Sequence, residues 1–581
     1  MEFMQFRPGE SGYETELAGF NRIVSHRPAA IAAVRSVAEV RAAVRYAAER
    51  GMPVAVQSTG HGPAGAVGAD TLLLSVRRLR GVHVDPAART ARVAAGTRWQ
   101  EVVDAAAPHG LAPLCGSSPL VGVVGYTLGG GLGPLARTYG YAADQVTAVE
   151  LVTADGRLRE VTAEREPELF WALRGGGKSG FGVVTALTFR LPPVARLYGG
   201  GLRFAGADAA AVLAAWRRVT AAAPEELTTS VALLRVPGER GLTVHVRVAV
   251  AAESGLEALG ERLVRPLREA APAFADTVRR RPYRTVAEIH EDPVEPMPYH
   301  ERGILLREFG AAAEAALLAS AGPGAECADW AVELRHLGGA AGRPPAMPSA
   351  VGSRAGAFTL TTLTAPGTDS GVPSALGEWS TGGRYVNFLA GPGTERLAPQ
   401  AYDAGTYARL RAVKGTYDPE NVFRHGHAVP PAGTGVAAGA DRAANAGAGQ
   451  PGSGGHAGTG GTAPPGSAGS SPAAPPGAGG PPGVRPAASG GPRVPAQGAA
   501  AESGGAAPAG SGGPGDARTA SATPAVSGIT APTGSAGVAG LVTPAGPGPA
   551  AAAGSPGSAA GPALDAAAPA ATPARLPRRV S

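Results

Sequence analysis

The chain has 581 residues, a hydrophobic share of 44% and a formal net charge of +6, enough length for two or three domains with a sizeable core. Its positive charge is spread thinly: Arg442, Arg485, Arg493 and Arg518 stand far apart and only Arg575, Arg578 and Arg579 cluster. Without a basic stripe carrying interleaved aromatics, nucleic acid is not an expected partner.

Two cysteines, Cys115 and Cys327, make neither a metal-binding spacing nor a disulfide framework, which fits a reducing compartment. The opening MEFMQFRPGESGYETE has acidic residues where a signal peptide needs a basic flank and an apolar run, and no later stretch is apolar for long enough to span a bilayer. A soluble cytoplasmic protein without membrane contact is expected. From Pro431 onward the sequence is nearly all Ala, Gly, Pro and Ser without Phe, Trp or Tyr. Such a segment cannot bury enough apolar surface to offset chain entropy, so 431–581 is expected to be disordered and 1–430 folded.

In chain order, Ser36 and Glu39 have capping-box spacing, and Val37, Val40, Val44 and Ala47 mark one face of a helix over 36–50. A short β-prone run over 52–56 leads into the small-residue turn Gln57-Ser58-Thr59-Gly60-His61-Gly62. A second helix is expected over 98–107. It precedes the glycine-rich passage LCGSSPLVGVVGYTLGGGLG over 114–133, where absent side chains suit backbone that must approach something closely. Strands are expected over 146–153 and 158–161 around an Ala-Asp-Gly turn, then a helix over 167–173 with proline at its first position. That helix ends in Arg174-Gly175-Gly176-Gly177-Lys178-Ser179-Gly180, with a strand over 181–191 beyond.

After about residue 195 the pattern becomes α+β with an antiparallel sheet: strands over 230–236, 242–251, 330–337, 358–363 and 385–389, and helices over 257–269 and 311–319. The folded part closes with a helix carrying Tyr407, Leu410, Val413 and Lys414, followed by a capped turn at Asp418-Pro419-Glu420-Asn421.

Three glycine-rich loops, over 57–66, 116–133 and 174–182, share one physical property: successive N–H groups in tight turns form concave anion sites. None has the Gly-x-Gly-x-x-Gly fingerprint that follows the first strand of a nicotinamide-binding unit, so a Rossmann dehydrogenase is disfavoured.

Four segments taken together, RPAAIAAVRSVAEVRAAVRYAAERGMPVAVQSTGHG, GSSPLVGVVGYTLGGGLG, ALRGGGKSGFGVVTALTFRL and YVNFL with KGTYDPENVFRHGH, resemble the berberine-bridge-enzyme-like FAD oxidoreductases of the vanillyl-alcohol-oxidase type. The resemblance spans nearly all of residues 7–430. It implies an α+β fold: a two-subdomain PCMH-type FAD-binding domain over 1–195, a substrate domain over 196–395 with an antiparallel sheet covered by helices, a segment over 396–430 returning to the FAD domain, and the disordered tail. It further implies FAD attached covalently through His61, with hydride passing from a small organic substrate to the flavin and dioxygen as the electron acceptor. No metal is implied, and the oligomeric state stays open. A dehydrogenase with another acceptor and a flavin-binding module without turnover are the alternatives.

Carried onto this sequence, the family's cofactor contacts fall on Gln57, Ser58, Thr59, Gly60, His61 and Gly62; on Ser118, Val121, Gly122, Gly125, Tyr126, Gly129, Gly130 and Gly131; on Gly182, Val183 and Val184; and on Tyr385 and Asn387. Many relatives have a second flavin link through a cysteine, but Ser118 stands at that position and Cys115 lies three residues early, so a single link and a buried inert Cys115 are expected. An arginine common near the phosphates is absent from Gln57-Ser58-Thr59-Gly60-His61, and the usual His-Asn-Gln reads His425-Gly426-His427. Tyr385 is the expected catalytic group, which as a base would require a depressed phenol pKa or a concerted transfer. His300 and Glu333 are further titratable candidates, Glu333 with a structural hydrogen bond as its plainer reading.

Overall fold

A computed structural model describes residues 3–238, 241–352 and 354–433; from 434 onward, the segment expected to be disordered lies outside the described residues. Among those residues no helix is long and apolar enough to cross a membrane.

Three sheets organise the chain. The first has the spatial order Met4–Phe6, Ala30–Ala33, Leu72–Ser75 and Val54–Gln57, its last three strands parallel. Ala30–Ala33 and Leu72–Ser75 are buried at every position, as parallel strands covered on both faces require. The helix Val37–Glu49 packs Val40, Ala43, Val44 and Ala47 into the same core. Ser36 Oγ accepts the Glu39 N–H at 3.2 Å, while Glu39 Oε2 reaches the N–H of Arg35, one residue before the cap, at 2.8 Å.

An antiparallel sheet follows, in the order Val82–Asp85, Thr90–Ala94, Val183–Arg190, Val146–Val152 and Leu158–Val161. The long glycine-rich passage is not all loop. It contains a short helix, Val123–Leu128, whose Val123 and Val124 are buried.

The third sheet is antiparallel and runs Ala273–Asp276, Arg196–Ala205, Thr243–Val250, Leu227–Leu234, Ala331–His336, Phe358–Thr364 and His300–Leu306, with Arg279–Pro282 also paired to Arg196–Ala205. Its alternation sorts two faces. Val244, Val246, Val248, Val231, Leu233, Val332, Leu334 and Leu360 lie on one face, in a core shared with the helices Ala209–Ala221, Leu256–Arg268 and Ala311–Ala321. Each such side chain contributes roughly 1.5–3 kcal/mol by burial. The register places His245, Arg247, Ser230, Glu333, Arg335, Thr359, Thr361 and Glu301 on the other face. A sheet buried on both sides thus carries polar residues on one of them.

Two differences from the sequence reading have physical causes. The strand expected over 385–389 is a single 3-10 turn, Val386–Phe388, closed by the Phe388 N–H to the Tyr385 carbonyl at 2.9 Å. The strands Arg196–Ala205 and His300–Leu306 escaped notice because three glycines and a polar start dilute their patterns. Gly201 serves packing, since a Cβ there would sit 2.2 Å from His245 Nε2.

The helix Ala404–Tyr417 returns to the N-terminal region, with Leu410 against Gly176 and Arg409 on Glu168 at 2.7 Å. A buried ion pair anchors this return. Lys414 Nζ donates to Asp418 Oδ2 at 2.6 Å, to the Phe423 carbonyl at 2.9 Å and to the Gly180 carbonyl, with both side chains of the pair at 0% exposure. Asp418 in turn accepts the N–H groups of Val422 and Phe423 at 2.7 and 2.9 Å. Removing one member leaves a buried charge unpaired, so Asp418→Ala should cost about 3–5 kcal/mol. Urea unfolding measures this, and Lys414→Met combined with Asp418→Ala should recover part of the loss.

Candidate functional site

The turn after Val54–Gln57 is shaped by contact with the chain near Gly19. Gly60 has φ +67, and a Cβ there would fall 2.6 Å from the Gly19 Cα, so glycine is required by both conformation and space. The N–H groups of Phe20 and Asn21 donate to the carbonyls of Thr59 and Gly60 at 2.9 and 3.0 Å. The Phe20 ring stacks on His61 with centroids 4.1 Å apart, and His61 Nδ1 lies 2.8 Å from Thr59 Oγ1. The other ring nitrogen, Nε2, is buried without a hydrogen-bond partner. Burial, helped by the charge of Arg98, pushes the imidazole pKa down to about 4, so the ring is neutral at physiological pH.

Around it lies an anion cradle. Among the described residues, the five consecutive N–H groups from Ser58 to Gly62 have no acceptor, nor do those of Gly116, Ser117 and Ser118. Thr59 Oγ1 also accepts the Gly122 N–H at 3.3 Å, joining the first loop to the second. From the third loop, the half-buried Lys178 brings its ammonium to 3.9 Å from where a Gly62 Cβ would sit. Burial lowers the Lys178 pKa to about 8. His427 is buried with an unpartnered Nε2, and burial together with the Lys178 charge takes its pKa to about 3.

Facing this corner is the polar side of the third sheet. Glu333 accepts from Arg247 NH1 at 2.9 Å and from Arg335 Nε and NH2 at 2.9 and 2.8 Å. Burial alone would raise its pKa, but Arg335 and Arg247 outweigh that and hold it below the usual carboxylate value. Glu301, on the same face, has no hydrogen bond or ion pair to its carboxylate among the described residues. Burial raises its pKa to about 8 against the opposing charges of Arg335 and Lys178.

Comparison with known proteins decides the assignment. A family model described as an FAD binding domain matches residues 28–162, and one described as berberine and berberine like matches 384–430. The (R)-6-hydroxynicotine oxidase of Paenarthrobacter nicotinovorans is 29% identical over 446 residues, covering 74% of this chain and 96% of that protein. The xylooligosaccharide oxidase of Thermothelomyces thermophilus is 36% identical over 188 residues, or 31% of this chain and 38% of that protein. The crystal structure of 6-hydroxy-D-nicotine oxidase from Arthrobacter nicotinovorans superposes with a TM-score of 0.62 at 26% identity, covering 74% and 97% of the two chains.

The chain carries the FAD-binding and berberine-like domains of FAD-linked oxidoreductases. A chitooligosaccharide oxidase structure, at 20% identity and a TM-score of 0.63 over 74% of this chain and 97% of that one, shares the fold. The residues at the site fit FAD. A run of unpaired N–H groups suits a pyrophosphate, and the one unpartnered nitrogen of His61 opens beside it.

The structure divides the oxidoreductase's expected contact residues. Ser58, Thr59, Gly60, His61, Gly62, Ser118 and Gly122 gather at the cradle, and Ser58 Oγ is buried and unpartnered there. The half-buried Val121 only flanks it, its carbonyl accepting the Trp99 N–H at 3.1 Å, and at Gly125 a Cβ would meet open space. The Gln57 amide is committed elsewhere, to the Leu17 carbonyl at 3.0 Å. The N–H groups of Gly130 and Gly131 go to the Thr127 carbonyl and the Tyr385 hydroxyl. The space at Gly129 and Gly131 is filled by protein: a Cβ would meet Asn387 Oδ1 at 2.0 Å and the Tyr126 ring at 2.5 Å. Val183 and Val184 are core strand residues, and the room at Gly182 is taken by the Val152 carbonyl.

Tyr385 is buried. Its hydroxyl receives Asn387 Nδ2 at 3.2 Å and the N–H groups of Gly131 and Leu132, and Asn387 Nδ2 also reaches the Tyr126 carbonyl at 2.9 Å. Burial and the neighbouring Tyr141 raise its pKa well above that of a free phenol, the reverse of what a phenolate base needs. The Tyr126 hydroxyl is buried without a partner. Cys115 is buried with its thiol 3.3 Å from the Tyr283 hydroxyl, and burial takes its pKa up to about 11, an inert setting. His300 lies on the sheet face opposite Glu301 and packs against Gly391. Glu301, Arg247 and Arg335 were absent from the sequence reading, and Lys178 entered it only as part of the third glycine-rich loop. Cross-strand register was the signal that would have found the sheet residues.

Gly129→Ala should displace Asn387 and loosen its bonds to Tyr385 and Tyr126. Overpacking of this kind costs about 1–3 kcal/mol, read as a lower thermal midpoint relative to Gly125→Ala, which meets open space.

Proposed function

We propose that this FAD-dependent oxidoreductase is an oxidase that carries its flavin on His61 and removes a hydride and a proton from a small polar substrate. The observation that carries the reading is the unpartnered Nε2 of a neutral His61, set beside the cradle and facing a polar sheet wall. In the tautomer whose Nδ1–H donates to Thr59, the Nε2 lone pair of His61 is free and would hold the flavin through the methyl carbon of its benzene ring. When bound, the flavin supplies the two-electron acceptor for the substrate.

This chain's residues do the rest. Ser58 to Gly62 and Gly116 to Ser118 offer main-chain N–H groups to the pyrophosphate. Glu301 takes the substrate proton on a carboxylate oxygen, since both oxygens of Glu333 are held by arginines and the Tyr385 phenol keeps its proton. Tyr385 and Asn387 position the second loop. The substrate's two electrons and two protons end on dioxygen as hydrogen peroxide. The (R)-6-hydroxynicotine and xylooligosaccharide of the relatives' names are the first substrates to try. A cytoplasmic setting, in keeping with two free cysteines, is part of the same proposal.

Acid-precipitated enzyme should stay yellow and His61→Ala precipitate should be colourless; equal colour in the two would refute the tether. Mixed anaerobically with an accepted substrate, the enzyme should bleach and recover its colour in air. Bleaching without recovery would indicate another acceptor, and no bleaching across a broad panel would indicate a binding module.

The basic form of Glu301 accumulates as pH rises through about 8, so the anaerobic bleaching rate should climb between pH 7 and 9 and then level. Glu301→Gln should lower that rate about 100-fold or more and remove the climb, whereas Tyr385→Phe should keep it. A Glu301→Gln enzyme with an unchanged profile would exclude the carboxylate.

A further inference from the structure

The polar face of the third sheet holds more positive charge than its own residues neutralise. A small cavity lies where that face meets the loop Leu132, Gly133 and Pro134, and Arg247, His290 and Arg335 line it. Arg247 and Arg335 share one carboxylate, Glu333, and among the described residues no other acid comes within ion-pair distance of either. Asp292 and Glu301 act on Arg335 only from farther away. Arg247 and His290 are each 7% exposed, yet Arg247 Nε and His290 Nδ1 have no hydrogen-bond partner. His245, at 1% exposure, has neither ring nitrogen paired.

The histidines do not add charge. Burial, aided by Arg335 and Arg247, holds His290 well below its usual pKa, and burial, with Arg247 next, takes His245 to about 2. What remains is a desolvated net positive charge with donors to spare, an arrangement that costs stability unless an anion completes it.

We propose that this cavity is a subsite for a carboxylate group of the substrate, gripped by the guanidinium groups of Arg247 and Arg335 and an N–H of His290. Planar guanidinium forks match the two oxygens of a carboxylate better than a spherical ion or a neutral amide. The proposal rests on the oxidase reading and narrows it: the preferred substrate is an acid whose oxidisable carbon reaches toward Glu301 while its carboxylate is seated between the arginines.

Acetate and its neutral isostere acetamide test the subsite without knowledge of the substrate. Flavin-loaded enzyme, titrated calorimetrically in chloride-free buffer at constant ionic strength, should bind acetate and ignore acetamide. Arg247→Met should weaken acetate binding ten-fold or more, and His290→Gln several-fold. The second variant leaves the ion triad whole and keeps the test open if the first fails to fold. Yellow enzyme that binds neither probe, or acetate affinity unchanged in the folded variants, would overturn the subsite while leaving the oxidase reading standing. Failure of that reading would show separately, as bound flavin that no substrate bleaches or that does not recover its colour in air.

Discussion

A single hydroxyl sets the geometry on which the rest of the site depends. Thr59 Oγ1 meets His61 Nδ1 at 2.8 Å and the Gly122 N–H at 3.3 Å, orienting the imidazole and fastening the first loop to the second. Phe20 closes one face of the ring, and the Gly19–Gly60 contact leaves no room for the turn to shift. An imidazole held on an edge and a face has one nitrogen left to offer. Without the threonine the ring could rotate, and the N–H groups of the two loops would lose their common orientation.

The arginines show how cost separates structure from function. Arg174 and Arg137 are also buried, but their N–H groups go to main-chain carbonyls: Ala143, Pro348 and Met347 for one, Leu227, Ala223 and Leu337 for the other. Such groups stitch segments together and leave few donors over. Arg247 and Arg335 instead crowd one carboxylate and keep donors in reserve. A buried ion cluster is seldom a net source of stability compared with apolar packing, so donors left unclaimed in it are the feature that sets these two arginines apart from Arg174 and Arg137.

Much of this was legible from residue order, and the limits are instructive. The 37–49 helix, the 158–161 strand and the turn ending in His61 follow from local spacing, which local chemistry enforces. Glycines at 129–131 correctly signalled a close approach, but composition does not say whether the approaching atom belongs to a ligand or to Asn387 and Tyr126. The Tyr385 motif was visible, whereas the burial and the neighbouring Tyr141 that raise its pKa come from a stretch of chain far away in sequence and could not be read from the motif. Glu301 was missed because HERGILL starts polar and carries a glycine. Only the pairing of Gly303 with Thr361, and of Thr361 with Glu333, puts it on the polar face.

That pairing joins two carboxylates whose surroundings drive them apart. Glu333, clasped through both oxygens by two arginines, stays ionised, while Glu301, buried near Arg335 and Lys178 but touching neither, is poised at about 8. Separation of this kind is how one site assigns different tasks to identical groups. The clasped acid holds the arginines in place, and the unclasped one can gain and lose a proton near neutral pH. The separation therefore comes from the sheet register, from the positions of Arg247 and Arg335, and from the burial of Glu301 beside the Lys178 loop.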